Sequence, residues 1–142
     1  MRVAQKKLPL EIKNIAEYYL CHINEIKKQL SSYKLDMIPS PVPSYSGMPG
    51  SSDPESRPTE KLAVKISTDV YVLNCQRIID AYDRMYKKQD KINRDLIKLV
   101  FTKQEKTVEG ASMELHLSKT AGYDRIRNIL WCFAVEAGFI NL

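Results

Sequence analysis

Residues 107–137 read TVEGASMELHLSKTAGYDRIRNILWCFAVEA, and this stretch decides the fold. Thr107 can accept from the free amides of a first helical turn, so it marks the start of a short helix over 107–115. His116, Leu117 and Ser118 make a tight turn. Ser118 then caps a longer helix from Lys119 to about Ala137. Gly138 ends it, since glycine takes the left-handed conformation just past a helix without steric cost. Two helices joined by so short a turn describe a helix-turn-helix. The angle between them needs small or apolar residues where they meet. Ala111, Ser112 and Leu115 supply the inner face of the first helix, and Leu117 plugs the turn. Ile126, Ile129 and Leu130 continue the inner face of the second. Gly122 weakens a helix by ~1 kcal/mol, and the compensating gain is close packing on the first helix.

Upstream, the pattern stays helical. Ile12, Ile15, Ala16, Tyr19, Leu20, Ile23, Ile26, Leu30 and Tyr33 recur at three- and four-residue steps over residues 8 to 36, with Lys13, Asn14, Glu17, Asn24, Lys27 and Lys28 on the other face. This is an amphipathic stripe, with Pro9 placed in the first turn. From 37 to 58 the chain reads MIPSPVPSYSGMPGSSDPESRP and holds six of the seven prolines, which exclude a helix interior. The segment reads as a long loop with polyproline-like character, either a linker or a functional element. A second long helix is expected from Thr59, as N-cap, to about residue 88, on the stripe Leu62, Ala63, Ile66, Val70, Leu73, Ile78, Tyr82 and Met85. The β-branched run near Val70 to Cys75 can also be read as strand, but no Gly or Pro interrupts the helix. KKQDKIN, residues 87–93, is a hinge or an exposed turn. A short helix over 91–101 and a loop at 102–106 then lead to the two C-terminal helices. The two long stripes bury most simply against each other as a hairpin, or against a second copy.

The expectation is therefore an all-α protein of about five helices. An N-terminal helix (1–36), a Pro/Ser/Gly-rich loop (37–58) and a second long helix (59–90) form a hairpin that precedes a helix-turn-helix domain (91–142). The chain is 142 residues long, 44% apolar and 27% charged, enough apolar content for a core. No run approaches the ~18 apolar residues of a membrane span. The N-terminus MRVAQKKLPLEIKN lacks the apolar region and cleavage site of a signal peptide. Cys21, Cys75 and Cys132 are odd in number and widely spaced, which excludes a disulfide framework and points to a reducing cytoplasm.

Lys and Arg number 22 against 17 Asp and Glu, a formal net charge of +5 that makes nucleic acid a candidate partner. In a helix-turn-helix the second helix enters the major groove. Lys119, Thr120, Tyr123, Asp124 and Arg127 are expected to point outward from its first turns. Lys119 and Arg127 suit phosphates or guanine edges, and Thr120 a phosphate or a thymine methyl. Arg125 is expected to reach the DNA backbone with Lys103 and Lys106 of the preceding loop. Asp124 repels phosphate, so it either accepts from a cytosine amino group or locks Arg127 or Lys119 in an ion pair. From Asn93 onward seven basic residues face six acidic ones, a poor footprint for a lone monomer. That favours a dimer, or action beside another DNA-bound protein.

No phosphate-loop, zinc-protease or calcium-loop pattern occurs, and Cys21-His22 has no spaced second pair to complete a zinc site. The three cysteines are expected to pack as small apolar groups. His116 reads as a turn residue with its ring in solvent, or as a phosphate contact, and Trp131 as core or dimer seam. Eight tyrosines at helical spacing fit core and interface packing better than RNA stacking. Neither a triad nor an activated Cys–His pair can be assembled, so no enzyme and no cofactor are expected.

The block MELHLSKTAGYDRIRNIL, with Val108–Ser112 before it and AVEAGFI after it, resembles the C-terminal end of small phage regulators of the RinA and ArpU type. EYYL at 17–20 and SDPESRPTEKLA over Ser52–Ala63 resemble that family's N-terminal half and loop. These regulators are late-gene transcriptional activators, and their C-terminal part is similar to region four of sigma factors. The resemblance implies binding to double-stranded DNA, contact with host RNA polymerase, or both, in the bacterial cytoplasm. It places Ser118, Lys119, Thr120, Tyr123, Arg125 and Arg127 at the DNA, while Asp124 departs from the basic residue expected at its position. Two alternatives remain: a small terminase subunit that recognises phage DNA for packaging, and a polymerase-docking module that does not touch DNA.

Overall fold

A computed structural model describes residues 7–39 and 58–141. Most of the expected 37–58 loop, and with it the start of the SDPESRPTEKLA resemblance, lies outside the described residues. The described chain is all-α: α1 (Leu10–Met37), α2 (Pro58–Thr68), α3 (Val70–Lys87), α4 (Lys91–Leu96) running into a π-helical segment (Ile97–Thr102), α5 (Val108–Glu114) and α6 (Lys119–Glu136). Among the described residues no helix is long and apolar enough to cross a membrane.

Helix α1 forms where its stripe predicts, although Ile15 of that stripe is exposed. Ala16, Leu20, Ile23 and Leu30 are buried along one side. Pro9 sits just outside the first turn, at the N-cap position. The stripe packs against α3, the π-helical segment and α6. Helices α1 and α3 run antiparallel: the Tyr33 hydroxyl donates to Asp69 at the start of α3, while Lys27 lies over the Tyr82 ring near its end. The expected hairpin is therefore present, but its second arm is not one helix.

That arm is cut at Asp69, and Thr59 lies inside α2 rather than capping it. Asp69 is extended (φ −65°, ψ 128°), and its carboxylate accepts from the Val72 amide at 3.1 Å. The side chain thereby supplies a partner to a new helix start. On the other side, the Ser67 and Thr68 hydroxyls both donate to the Val64 carbonyl, at 3.0 and 2.7 Å. Three short polar side chains in a row therefore compete with the backbone for its own hydrogen bonds and break the helix without glycine or proline.

The expected helix over 91–101 also differs. Asp90 caps α4 through the Asn93 amide at 2.8 Å, and the chain then widens into π geometry, with the Lys103 amide reaching back five residues to the Lys98 carbonyl. The wider turn lets Leu96, Ile97 and Phe101 all face inward.

The core does not divide at residue 90. Leu20 and Ile23 of α1, Met85 of α3, Leu96, Ile97, and Ile129, Leu130 and Phe133 of α6 are fully buried in one cluster. Helix α6 is thus a core helix of the whole molecule and the second helix of the C-terminal pair at once. Trp131 is partly buried, and Cys75 is buried within the core. Burial, and then the Glu17 charge, push the Cys21 thiol up.

Candidate nucleic-acid interface

The C-terminal pair forms almost residue for residue as its sequence predicts. Thr107 accepts from the Gly110 amide at 3.1 Å and Ser118 from the Ala121 amide at 3.1 Å. Between these caps α5 ends in a Schellman motif: the Leu117 amide donates to the Ser112 carbonyl at 2.8 Å and the His116 amide to the Met113 carbonyl at 3.2 Å. The motif needs a left-handed residue, and His116 takes that role at φ 59° with its ring exposed. Helix α6 ends in the same way at Gly138 (φ 77°), and Phe139 then folds back against Phe133 and Tyr19.

Gly122 explains how closely α5 and α6 approach. A Cβ at this position would lie 1.8 Å from the Ser112 hydroxyl oxygen and 2.8 Å from Ser112 Cβ. Ser112 itself is 1% exposed, and its hydroxyl is satisfied by the Val108 carbonyl at 2.7 Å. The contact therefore leaves no room for a side chain between α5 and α6. Ala111, Ile126, Ile129 and Leu130 are buried as expected, while Leu115 and Leu117 are half-buried beside the turn.

On the outer side, Ser118, Lys119, Thr120 and Tyr123 are exposed at the N-terminal end of α6, and Asp124, Arg125 and Arg127 are half-buried. Most of the candidate cations already hold a carboxylate. Lys119 Nζ lies 3.0 Å from Glu109 Oε1 on α5, and the Tyr123 hydroxyl donates to the same oxygen at 3.3 Å. The Lys119 hydrogen bond and charge hold the Glu109 carboxyl below its usual range, and Glu109 in turn raises the Lys119 ammonium. Arg127 pairs with Asp124 at 3.2 Å, one of the two arrangements left open for Asp124. Lys106 pairs with Glu114 at 3.3 Å.

Arg125, expected at the DNA backbone, bonds within the fold here. One of its terminal nitrogens donates to Asp90 at 3.1 Å and to Asn93 at 3.0 Å, tying α6 to the cap of α4. The Asn93 amide first, and the guanidinium second, lower the Asp90 carboxyl. Arg125 is a structural tie in this arrangement. Lys103 is exposed, and the neighbouring Gln104 donates to the Cys21 carbonyl at 3.3 Å, which lays this loop along α1. The nine expected residues thus resolve into an exposed group on α6 (Ser118, Lys119, Thr120, Tyr123, with Asp124 and Arg127), a tie to α4 (Arg125), and two loop lysines. Sequence reading had not identified Glu109, Glu114 and Asp90 as partners of these cations. The Glu109–Lys119 pair spans the turn between two helices, so helix periodicity carries no signal for it.

Comparison with known protein families, with curated proteins and with solved structures returns no match. Among the described residues no group of His, Cys, Asp and Glu is arranged to hold a metal ion.

Proposed function

We propose that this chain is a phage-encoded DNA-binding transcriptional regulator of the RinA and ArpU type, an activator of late genes, which reads promoter DNA with the first turns of α6. The observation that carries the reading is the close-packed α5–turn–α6 unit, with the Gly122–Ser112 contact between its helices and Lys119, Thr120 and Tyr123 exposed on one end of α6. A helix held at a fixed angle with its N-terminal side chains in solvent is what a major groove accepts. Lys119 and Arg127 serve as phosphate or guanine contacts once they exchange their carboxylate partners, and Thr120 and Tyr123 lie beside them. A homodimer, or host RNA polymerase as a neighbour, compensates the low net charge of this region.

The test is a titration of duplex DNA from upstream of the neighbouring late genes, against scrambled DNA, at two salt concentrations. Selective binding that weakens with salt is expected, and Lys119→Ala with Arg127→Ala should weaken it about tenfold or more. Light scattering that gives a large ring would favour the terminase subunit instead. A second reading draws on the ion pairing of the α6 cations: a polymerase-docking module. Absence of binding to either DNA, with retained binding to RNA polymerase, would favour it.

A further inference from the structure

We propose that Glu109 is a built-in competitor for phosphate, which holds Lys119 and Tyr123 off non-specific DNA. The inference rests on the DNA-binding reading and concerns the regulation of that same surface.

The geometry is specific. A single carboxylate oxygen of Glu109 receives both the Lys119 ammonium at 3.0 Å and the Tyr123 hydroxyl at 3.3 Å. These are two side chains of the α6 face, one turn apart, joined by an anion from the neighbouring helix. An oxygen that collects an ammonium and a hydroxyl has the donor set a DNA phosphate oxygen would need there. Glu109 is on the short helix that packs closely on α6 at Gly122 and Ser112, which places its backbone beside Lys119. The pair is also solvent-exposed, with side-chain accessibilities of 68% for Lys119 and 52% for Glu109. It therefore stabilises the fold little and exchanges readily.

The consequence is a threshold. Any DNA that uses Lys119 must first displace Glu109, and the released carboxylate then faces the phosphate backbone. Random DNA offers only phosphates in return, whereas a cognate site adds base contacts that offset the exchange. Glu109 thus lowers affinity for every DNA that uses Lys119, so random DNA falls below the level at which it is occupied while a site with base contacts stays above it.

The experiment measures binding of the full-length protein to mixed-sequence duplex DNA at two salt concentrations. The variants are Glu109→Gln, Lys119→Ala, the double variant, and Asp36→Asn as a charge-matched control. Asp36 lies in the last turn of α1, fifteen residues beyond Cys21, where the Gln104 loop contacts that helix. At a rise of ~1.5 Å per residue this is about 22 Å along α1. Glu109→Gln should bind about fivefold more tightly at low salt. Its log–log salt slope should steepen by about one, as expected for one more cation on phosphate. Its thermal midpoint should match the wild type. Asp36→Asn should show neither change, and the gain should vanish in the Lys119→Ala background.

Wild-type binding with no gain in Glu109→Gln overturns the competitor alone and leaves the DNA reading standing. A gain that persists without Lys119 also overturns it, since the carboxylate then acts only by bulk repulsion. No binding by any variant removes both.

Discussion

The junctions at Asp69 and Ser118 use the same device. In each, a short polar side chain accepts from the amide three residues ahead at 3.1 Å, and a helix starts there. They differ in what comes before. At Ser118 the previous helix has already ended, through a Schellman motif and a left-handed His116, and four residues separate the helices. At Asp69 a single extended residue separates α2 from α3. A reversal of direction demands unusual backbone conformations, which leave a mark in the sequence. A bend between abutting helices demands one residue and leaves the apolar period almost unbroken.

The largest effect should come from the contact that makes the Ser118 junction rigid. Gly122→Ala drives a Cβ into the Ser112 hydroxyl, with no space to relax between two packed helices. It should cost about 3 kcal/mol in urea unfolding. Ser112→Gly added to it should restore part of that loss, because the two residues share one contact.

Asp69→Ala should come next. It removes the cap of α3 and leaves the Tyr33 hydroxyl without its acceptor. The Tyr33 hydrogen bond first, and the Val72 amide second, hold the Asp69 carboxyl below its usual range, while Asp69 holds the Tyr33 hydroxyl above its own. A lowered carboxyl stabilises the fold above the ordinary value near about 4 and loses this as pH falls through the lowered one. A raised tyrosine stabilises below about 10 and loses this as pH rises through the raised value. Wild-type stability should therefore fall at both extremes, and Asp69→Ala should flatten both falls. Equal slopes in the two proteins would show that the pair does not couple α1 to α3.

Ser118→Ala should have the smallest effect, about 1 kcal/mol. It removes one hydrogen bond from a junction whose angle is set elsewhere, by Gly122 and the Schellman turn. If Ser118→Ala proved worse than Asp69→Ala, the two caps would have the opposite ranking, and the turn rather than the glycine contact would set the angle.

These junctions also show what could be read in advance. Thr107, Ser118 and Gly138 mark helix ends by local chemistry, and all three act at those ends. The stripe of α1 needed only its own period. The break at Asp69 was obscured because Val70, Leu73 and Ile78 continue a plausible helical spacing on its far side. Its signal was Ser67-Thr68-Asp69, a run of side chains that bond to the backbone. The ion pairs were illegible for another reason. Arg125 meets Asp90 and Glu136 meets Arg84 only because the whole bundle closes, and a single sequence carries no trace of such distant pairings.

Those distant pairs have one more consequence. Arg125 ties one part of α6 to the α4 cap, and near the other end Glu136 binds Arg84 and Lys88 of the α3 terminus. Between them Ile126, Ile129, Leu130 and Phe133 belong to the common core. Helix α6 therefore has no hinge of its own. Its central amide protons are expected to exchange with solvent as slowly as those of α1, which hydrogen-exchange measurements would check.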